Sequence, residues 1–153
     1  MPAPLDDLTH AFHCAFFPVQ VLVVDDDVTS RAAMRRVLEH EGYTVIVAEH
    51  AADALRLLEG THVPVDLLVT DIQMPGMPGD VLASRVRESW PDLPVVFVSG
   101  EPRNARVAND AGGRAKFLLK PFLPLELLQS VEAVLEPPHQ HPETLLGPVG
   151  ELG

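Results

Sequence analysis

Residues 66–79 read Asp66-Leu67-Leu68-Val69-Thr70-Asp71-Ile72-Gln73-Met74-Pro75-Gly76-Met77-Pro78-Gly79. Leu67 to Thr70 is a short apolar run suited to a strand buried on both faces. It delivers one carboxylate, Asp71, to its carboxyl end, and a loop marked by Pro75, Gly76, Pro78 and Gly79 follows. Aspartate is common where a strand turns, so turn chemistry alone accounts for Asp71. The residues that arrive beside it decide whether it does more.

Working outward, the same pattern repeats. Val19 to Val24 is an apolar, β-branched run that stops at Asp25-Asp26-Asp27. Val28 to His40 has helical spacing at Ala33, Met34, Val37 and Leu38, with a stop at Gly42. Thr44 to Ala48 is a second strand, and Ala51 to Leu58 a second helix with Ala51, Ala54, Leu55 and Leu58 on one face. After the central strand, Asp80 to Ser89 is a helix expected to face inward through Val81, Leu82 and Val86. Val95 to Val98 is a fourth strand ending at Ser99-Gly100. Pro102 to Ala111 is a weak helix whose thin apolar face marks a segment that is easily displaced. Lys116 to Leu119 is a fifth strand, followed by Lys120-Pro121. The last helix, Leu123 to Leu135, is expected to turn Leu125, Leu128, Val131, Val134 and Leu135 inward, and Pro137-Pro138 stop it.

Five βα units imply a parallel sheet with helices on both faces and right-handed crossovers. The expected architecture is an α/β doubly wound, flavodoxin-like (βα)5 fold with strand order 2-1-3-4-5. The domain itself is read as residues 19–136. Residues 1–18 form an N-terminal arm or a short helix, since Leu5, Leu8, Phe12, Ala15 and Phe16 recur at spacings of three and four. Residues 137–153 are a proline-rich tail, read as disordered.

Composition narrows the function. The chain has 153 residues and is 46% hydrophobic, which suits one domain with a real core. A net charge of −11 argues against a direct grip on nucleic acid. A single cysteine, Cys14, excludes an internal disulfide and points to a cytoplasmic setting. No apolar run reaches the roughly 20 residues of a membrane span, and the N-terminus lacks the basic start of a secretion signal.

In a sheet of this kind ligands sit beyond the carboxyl ends of the strands, at the switch between the first and third. Asp25 and Asp26 end the first strand, Asp71 the third, Ser99 the fourth and Lys120 the fifth. Three carboxylates at one edge raise each other's pKa unless a cation joins them. Oxygen ligands without sulfur are what Mg²⁺ prefers. A carboxylate beside Mg²⁺ can attack a phosphoryl group and form an aspartyl-phosphate. Lys120 then supplies a point charge, and Ser99 a hydroxyl, for the phosphoryl oxygens.

The stretches VLVVDDD, LLVTDIQMPGMPG, VVFVSG and FLLKPF resemble the receiver domain of two-component response regulators, in order and at compatible spacing. The resemblance covers about residues 19–136. It implies that Asp71 is the phosphoacceptor and that Asp25, Asp26 and Asp71 hold Mg²⁺ together with the backbone carbonyl of Gln73. Ser99 matches the hydroxyl residue that turns toward the phosphoryl group. Lys120 matches the lysine that pairs with that group, and Lys120-Pro121 a bond that is usually cis. Phe117 stands at the aromatic switch position, often Tyr, without the hydroxyl. The weak fourth helix departs from the family pattern. The partners implied are a histidine kinase or histidine phosphotransfer protein and a downstream protein target; a homodimer is a separate expectation, with residues 1–18 as a docking or dimer-forming helix. No enzyme activity is expected beyond the chain's own phosphorylation and slow dephosphorylation. If the 153 residues are the natural chain, output runs through protein–protein contacts; otherwise the domain belongs to a hybrid kinase or a larger regulator.

A second reading comes from Asp25-Asp26-Asp27-Val28-Thr29, which contains the DxDxT motif of haloacid dehalogenase-type phosphohydrolases. There Asp25 is the nucleophile and Asp27 the acid/base. That reading leaves Asp71 without a role and lacks an acidic pair after Lys120.

Overall fold

A computed structural model describes residues 18–60 and 64–136. The arm expected over residues 1–18 (Pro18 apart) and the tail at 137–153 lie outside the described residues.

Five parallel strands, β1 (Gln20–Val24), β2 (Thr44–Ala48), β3 (Leu67–Asp71), β4 (Val95–Ser99) and β5 (Ala115–Leu119), form one sheet in the order β2-β1-β3-β4-β5. Between them run α1 (Val28–His40), α2 (Ala51–Gly60), α3 (Gly79–Ser89), a 3₁₀ turn at Pro102–Ala105 that leads into α4 (Arg106–Ala111), and α5 (Pro124–Leu135). The expected strand order is therefore the observed one.

The three inner strands β1, β3 and β4 are buried along their whole length, which explains why their sequences are apolar at every position rather than alternating. Alternate residues feed two cores. Leu22, Val24, Leu68, Val95 and Phe97 pack with Ala54 and Leu58 of α2 and Leu82 and Val86 of α3. Val21, Val23, Leu67, Val69, Val96 and Val98 pack with Met34 and Leu38 of α1 and Leu127, Val131 and Val134 of α5. The outer strands β2 and β5 are only partly buried.

Two inward-facing assignments are corrected by the structure. Val81 and Leu125 are exposed, as is Ala33 in α1. The buried stripe of α3 is Gly79, Leu82, Ala83 and Val86, with helical spacing of three and four, and Val81 falls beside it. In α5 the stripe is Leu127, Val131 and Val134. Leucines at 125, 127 and 128 allow two overlapping stripes in the sequence, and only packing chooses between them. Leu127, fully buried, contributes roughly 1.5–3 kcal/mol by leaving water.

Arginine side chains close two frayed ends. Arg114 Nη1 donates to the carbonyls of Val134, Leu135 and Glu136 at 3.3, 3.2 and 3.4 Å, satisfying the last carbonyls of α5. Arg87 does the same at the end of α4, where its Nη1 donates to Ala111 and Gly112.

The chain after β3 is fixed at both ends. Ile72 N donates to Val98 O at 2.9 Å and Gly79 N to Ile72 O at 2.8 Å, so α3 starts directly against the end of β3. Gly76, at φ +84°, makes the turn between them. A side chain at residue 79 has no room: a Cβ there would lie 2.0 Å from Asp71 O and 2.9 Å from Thr70 Oγ1. Glycine is required at this position for space.

Gly79→Ala is expected to destabilise the protein by roughly 1–3 kcal/mol, the scale of overpacking. Thermal denaturation would show it as a lowered midpoint, and an unchanged midpoint would contradict this account of the β3–α3 contact.

Candidate functional site

The strand register carries the site residues to one edge. Val24 pairs with Thr70, Asp71 with Val98, and Ser99 with Leu119. The ladder continues past the strands, since Asp25 N donates to Ala48 O at 3.2 Å and Lys120 N to Ser99 O at 2.9 Å. Asp25, Asp71, Ser99 and Lys120 are thus placed by backbone hydrogen bonds, before any side-chain interaction acts.

Asp25 is fully buried. Its Oδ1 accepts from Asp27 N at 2.9 Å and its Oδ2 from Lys120 Nζ at 3.0 Å. Arg31, on the first turns of α1, donates to the Asp25 carbonyl at 2.6 Å. Asp26 is half-buried. Asp25, Asp26 and Asp71 each offer a carboxylate oxygen, all within 4.8 Å of one another. The same Lys120 Nζ lies 3.8 Å from Asp71 Oδ2. The Lys120–Pro121 peptide bond is cis, as the resemblance implied.

Three carboxylates therefore face one ammonium, with Asp25 and Asp71 buried and Asp26 and Lys120 half-buried. The carboxyl of Asp71 is pushed from 3.8 up to about 6, first by burial and then by the negative charge of Asp25. Lys120 works against the rise, Asp26 adds to it, and a hydrogen bond from the Gln73 backbone again opposes it. The site is short of positive charge. A small divalent cation fits it, because the donors are hard carboxylate oxygens already drawn together and one such ion would balance their excess charge.

Ser99 is fully buried. Its Oγ accepts from Glu101 N at 3.0 Å and from Asn104 Nδ2 at 3.0 Å, and donates to Gln73 Oε1 at 3.4 Å. Gln73 therefore meets the site in two ways the sequence did not suggest, through its backbone N–H toward Asp71 and its amide oxygen toward Ser99. Phe117 lies on β5, half-buried beside Phe97 in register, and packs on the core shared with α2 and α3.

Several contributors gave no sequence signal. Thr70 Oγ1 donates to the Asp71 carbonyl at 2.9 Å and holds the backbone of that residue. Asn104 sits in a stretch without periodicity. Gly79 could have been suspected from the tightness of the loop, but not its contact with Asp71. Asp27, by contrast, stands outside the acidic cluster. It is exposed and accepts from Ser30 N at 3.1 Å as the N-cap of α1. The haloacid dehalogenase reading needs Asp27 as an acid/base within the site, and the geometry does not favour it.

Both the sequence and the fold have known relatives. A family model for the response regulator receiver domain matches residues 21–132. Over 117 residues the chain is 37% identical to the sensor kinase CckA of Brucella abortus (strain 2308), covering 76% of this chain and 12% of that protein. It is 36% identical over 119 residues to the response regulator MprA of Mycobacterium sp. (strain KMS), covering 77% of this chain and 51% of the relative. The chain thus spans about half the length of MprA and a small part of CckA. Among solved structures, Vibrio cholerae CheY4 superposes with a TM-score of 0.69 at 28% identity, covering 76% of this chain and 98% of that one. Thermotoga maritima TrrA, in complex with Mg²⁺-BeF, gives 0.68 at 26% identity, covering 76% and 99%. The chain belongs to the response regulator receiver family.

The raised Asp71 pKa sets a pH dependence. The folded protein holds this proton more tightly than the unfolded chain, so stability falls as pH rises from 3.8 through about 6. In the absence of divalent cations, Asp71→Asn is expected to raise the melting midpoint at about pH 8 by on the order of 5 °C, and the gain should vanish by about pH 4. A gain that is equal at both pH values would show that the carboxylate is not the cause.

Proposed function

We propose that this receiver, over residues 19–136, takes a phosphoryl group onto Asp71 from the phosphohistidine of a histidine kinase or a histidine phosphotransfer protein. One observation carries the reading: Asp71 lies in a trio of carboxylates short of cations, with Lys120 beside it, at the carboxyl edge of the sheet. An Asp71 carboxylate oxygen attacks phosphorus in line, a P–O bond forms, and the P–N bond to the donor imidazole breaks. Asp25, Asp26, Asp71 and the backbone carbonyl of Gln73 are the ligands proposed for Mg²⁺. When bound, Mg²⁺ screens the carboxylates and neutralises charge on the phosphoryl oxygens.

The chain's own groups do the rest. Lys120, held by Asp25 at 3.0 Å, is aimed at the position where the phosphoryl oxygens gather. Ser99 turns its hydroxyl toward the phosphoryl group. That turn biases a two-state equilibrium of the surface formed by β4, α4 and β5. Phe117, beside the buried Phe97, takes part through packing alone, since it has no hydroxyl to donate. Chemistry is limited to self-phosphorylation and slow hydrolysis of the aspartyl-phosphate. The relatives' names, a sensor kinase and a response regulator, favour a place in a phosphorelay. Output is proposed to run through contact with a protein target or a second copy, without direct nucleic-acid contact, in the cytoplasm. Among the described residues no helix is long and apolar enough to cross a membrane.

Acetyl phosphate with Mg²⁺ is expected to label the parent protein, and neither chelation of the metal nor Asp71→Asn should leave a labelled species. Lys120→Ala should slow labelling roughly 100-fold, the scale of one lost electrostatic contact in a transition state. Equal labelling of Asp71→Asn and the parent would overturn the acceptor assignment. Phosphomonoester turnover that survived Asp71→Asn but not Asp25→Asn would revive the phosphohydrolase reading.

A further inference from the structure

The connection from Pro102 to Ala111 buries no residue, either in its 3₁₀ turn or in α4. Val107 and Ala108 lean on the core, and both are only partly buried. Apolar packing holds this connection weakly, so polar ties have a large share in placing it. Two such ties stand at its opposite ends.

The first is centred on Ser99. Asn104 Nδ2 and Glu101 N both donate to its Oγ at 3.0 Å, and Asn104 N donates to Glu101 O at 3.0 Å. A serine oxygen has two lone pairs and one hydrogen. Here the lone pairs face Glu101 and Asn104, and the hydrogen faces Gln73 Oε1. Rotation about the Ser99 side-chain bond moves the oxygen and cannot preserve this arrangement.

The second tie is Arg87, which projects from α3. Its guanidinium donates to Leu93 O at 3.0 Å, Ala111 O at 3.1 Å, Gly112 O at 2.8 Å and Arg114 O at 3.0 Å. One planar fork thus binds the end of α4, the chain entering β5 and the chain entering β4, which an ammonium could not do. Nothing in this tie passes through Ser99.

We propose that Asn104 is a latch that holds the 3₁₀ turn to the Ser99 hydroxyl, and that Arg87 is a fixed pivot at the far end. Turning Ser99 toward a phosphoryl group on Asp71 then releases the turn at 102–105 while residues 111–114 stay in place. The connection swings from its far end. This rests on the roles of Asp71 and Ser99 proposed above. Asn104 and Arg87 are positioning residues and touch no reacting atom.

The test is amide hydrogen exchange by NMR on the full chain, with Mg²⁺, with and without beryllofluoride as the phosphoryl mimic. Glu101 and Asn104 report the latch, and Val95, whose N–H bonds Arg114 O at 3.0 Å, reports the pivot. In the parent, beryllofluoride should speed exchange at Glu101 and Asn104 and leave Val95 unchanged. Asn104→Ala should show exchange at Glu101 already about fivefold faster without the mimic, the scale of one lost hydrogen bond, and a smaller further change with it, since the Glu101 N–H still meets Ser99 Oγ. Arg87→Lys, which keeps the charge but loses the fork, should speed exchange at Val95 and retain the response at Glu101. Asn104→Ala exchanging like the parent would overturn the latch, and a mimic response at Val95 as large as at Glu101 would overturn the pivot. No spectral change at any amide with beryllofluoride would refute the phosphoacceptor reading, whereas changes around Asp71 with exchange at Glu101 and Asn104 unmoved would overturn the release step alone; the unliganded Asn104→Ala comparison decides the latch in either case.

Discussion

The structure depends on a concentration of like charge at the end of a hydrophobic sheet. Asp25, Asp26 and Asp71 lie within 4.8 Å of one another because the register of β1 with β3 ends both strands at the same edge. Lys120 stands against them from the far strand, reaching Asp25 across a sequence separation of 95 residues. A single ammonium relieves the repulsion only in part, and the raised Asp71 pKa expresses what is left over. The fold therefore keeps a store of unfavourable electrostatics at one place. Cation binding and phosphoryl transfer are the two chemistries that would use it.

That placement follows from parallel pairing. Each strand must end at the same face for its βα crossover to begin, so residues just beyond the strands converge whatever their distance in sequence. The inner strands can be uniformly apolar because helices cover both sides. Apart from Gln20 at the start of β1, the buried polar residues among those described, Asp25, Thr70, Asp71 and Ser99, lie at this edge, and each of these four has an identified partner.

Much of this was legible in the sequence for a physical reason. Apolar strand runs, glycine and proline stops, and one polar residue at the end of each run are one-dimensional signals. They mark five βα units, to which the flavodoxin-like strand order applies by analogy, and in that order Asp25, Asp26, Asp71, Ser99 and Lys120 share one edge. What escaped is three-dimensional. Leu125 and Leu127 both suit a helix face, and the choice depends on the neighbour that α5 meets. Asn104 and Arg87 act by donating to particular oxygens, and an amide or guanidinium has no periodicity to announce that. Gly79 looked like loop punctuation, whereas its hydrogen atom fills the place where a side chain would strike the Asp71 carbonyl.

The seam at Gly79 has a consequence for how this loop can vary. With Gly79 N bonded to Ile72 O and Thr70 Oγ1 bonded to Asp71 O, the chain from Asp71 to Gly79 is a closed circuit rather than a free connection. A residue added or removed within it has no slack to absorb the change, so either α3 shifts on the core or the Asp71 carbonyl turns. The loop should therefore tolerate exchange of the side chain at an exposed position with ordinary backbone, such as Pro75, far better than any change of length. Surface loops usually accept insertions; this one is as length-bound as the strands it serves.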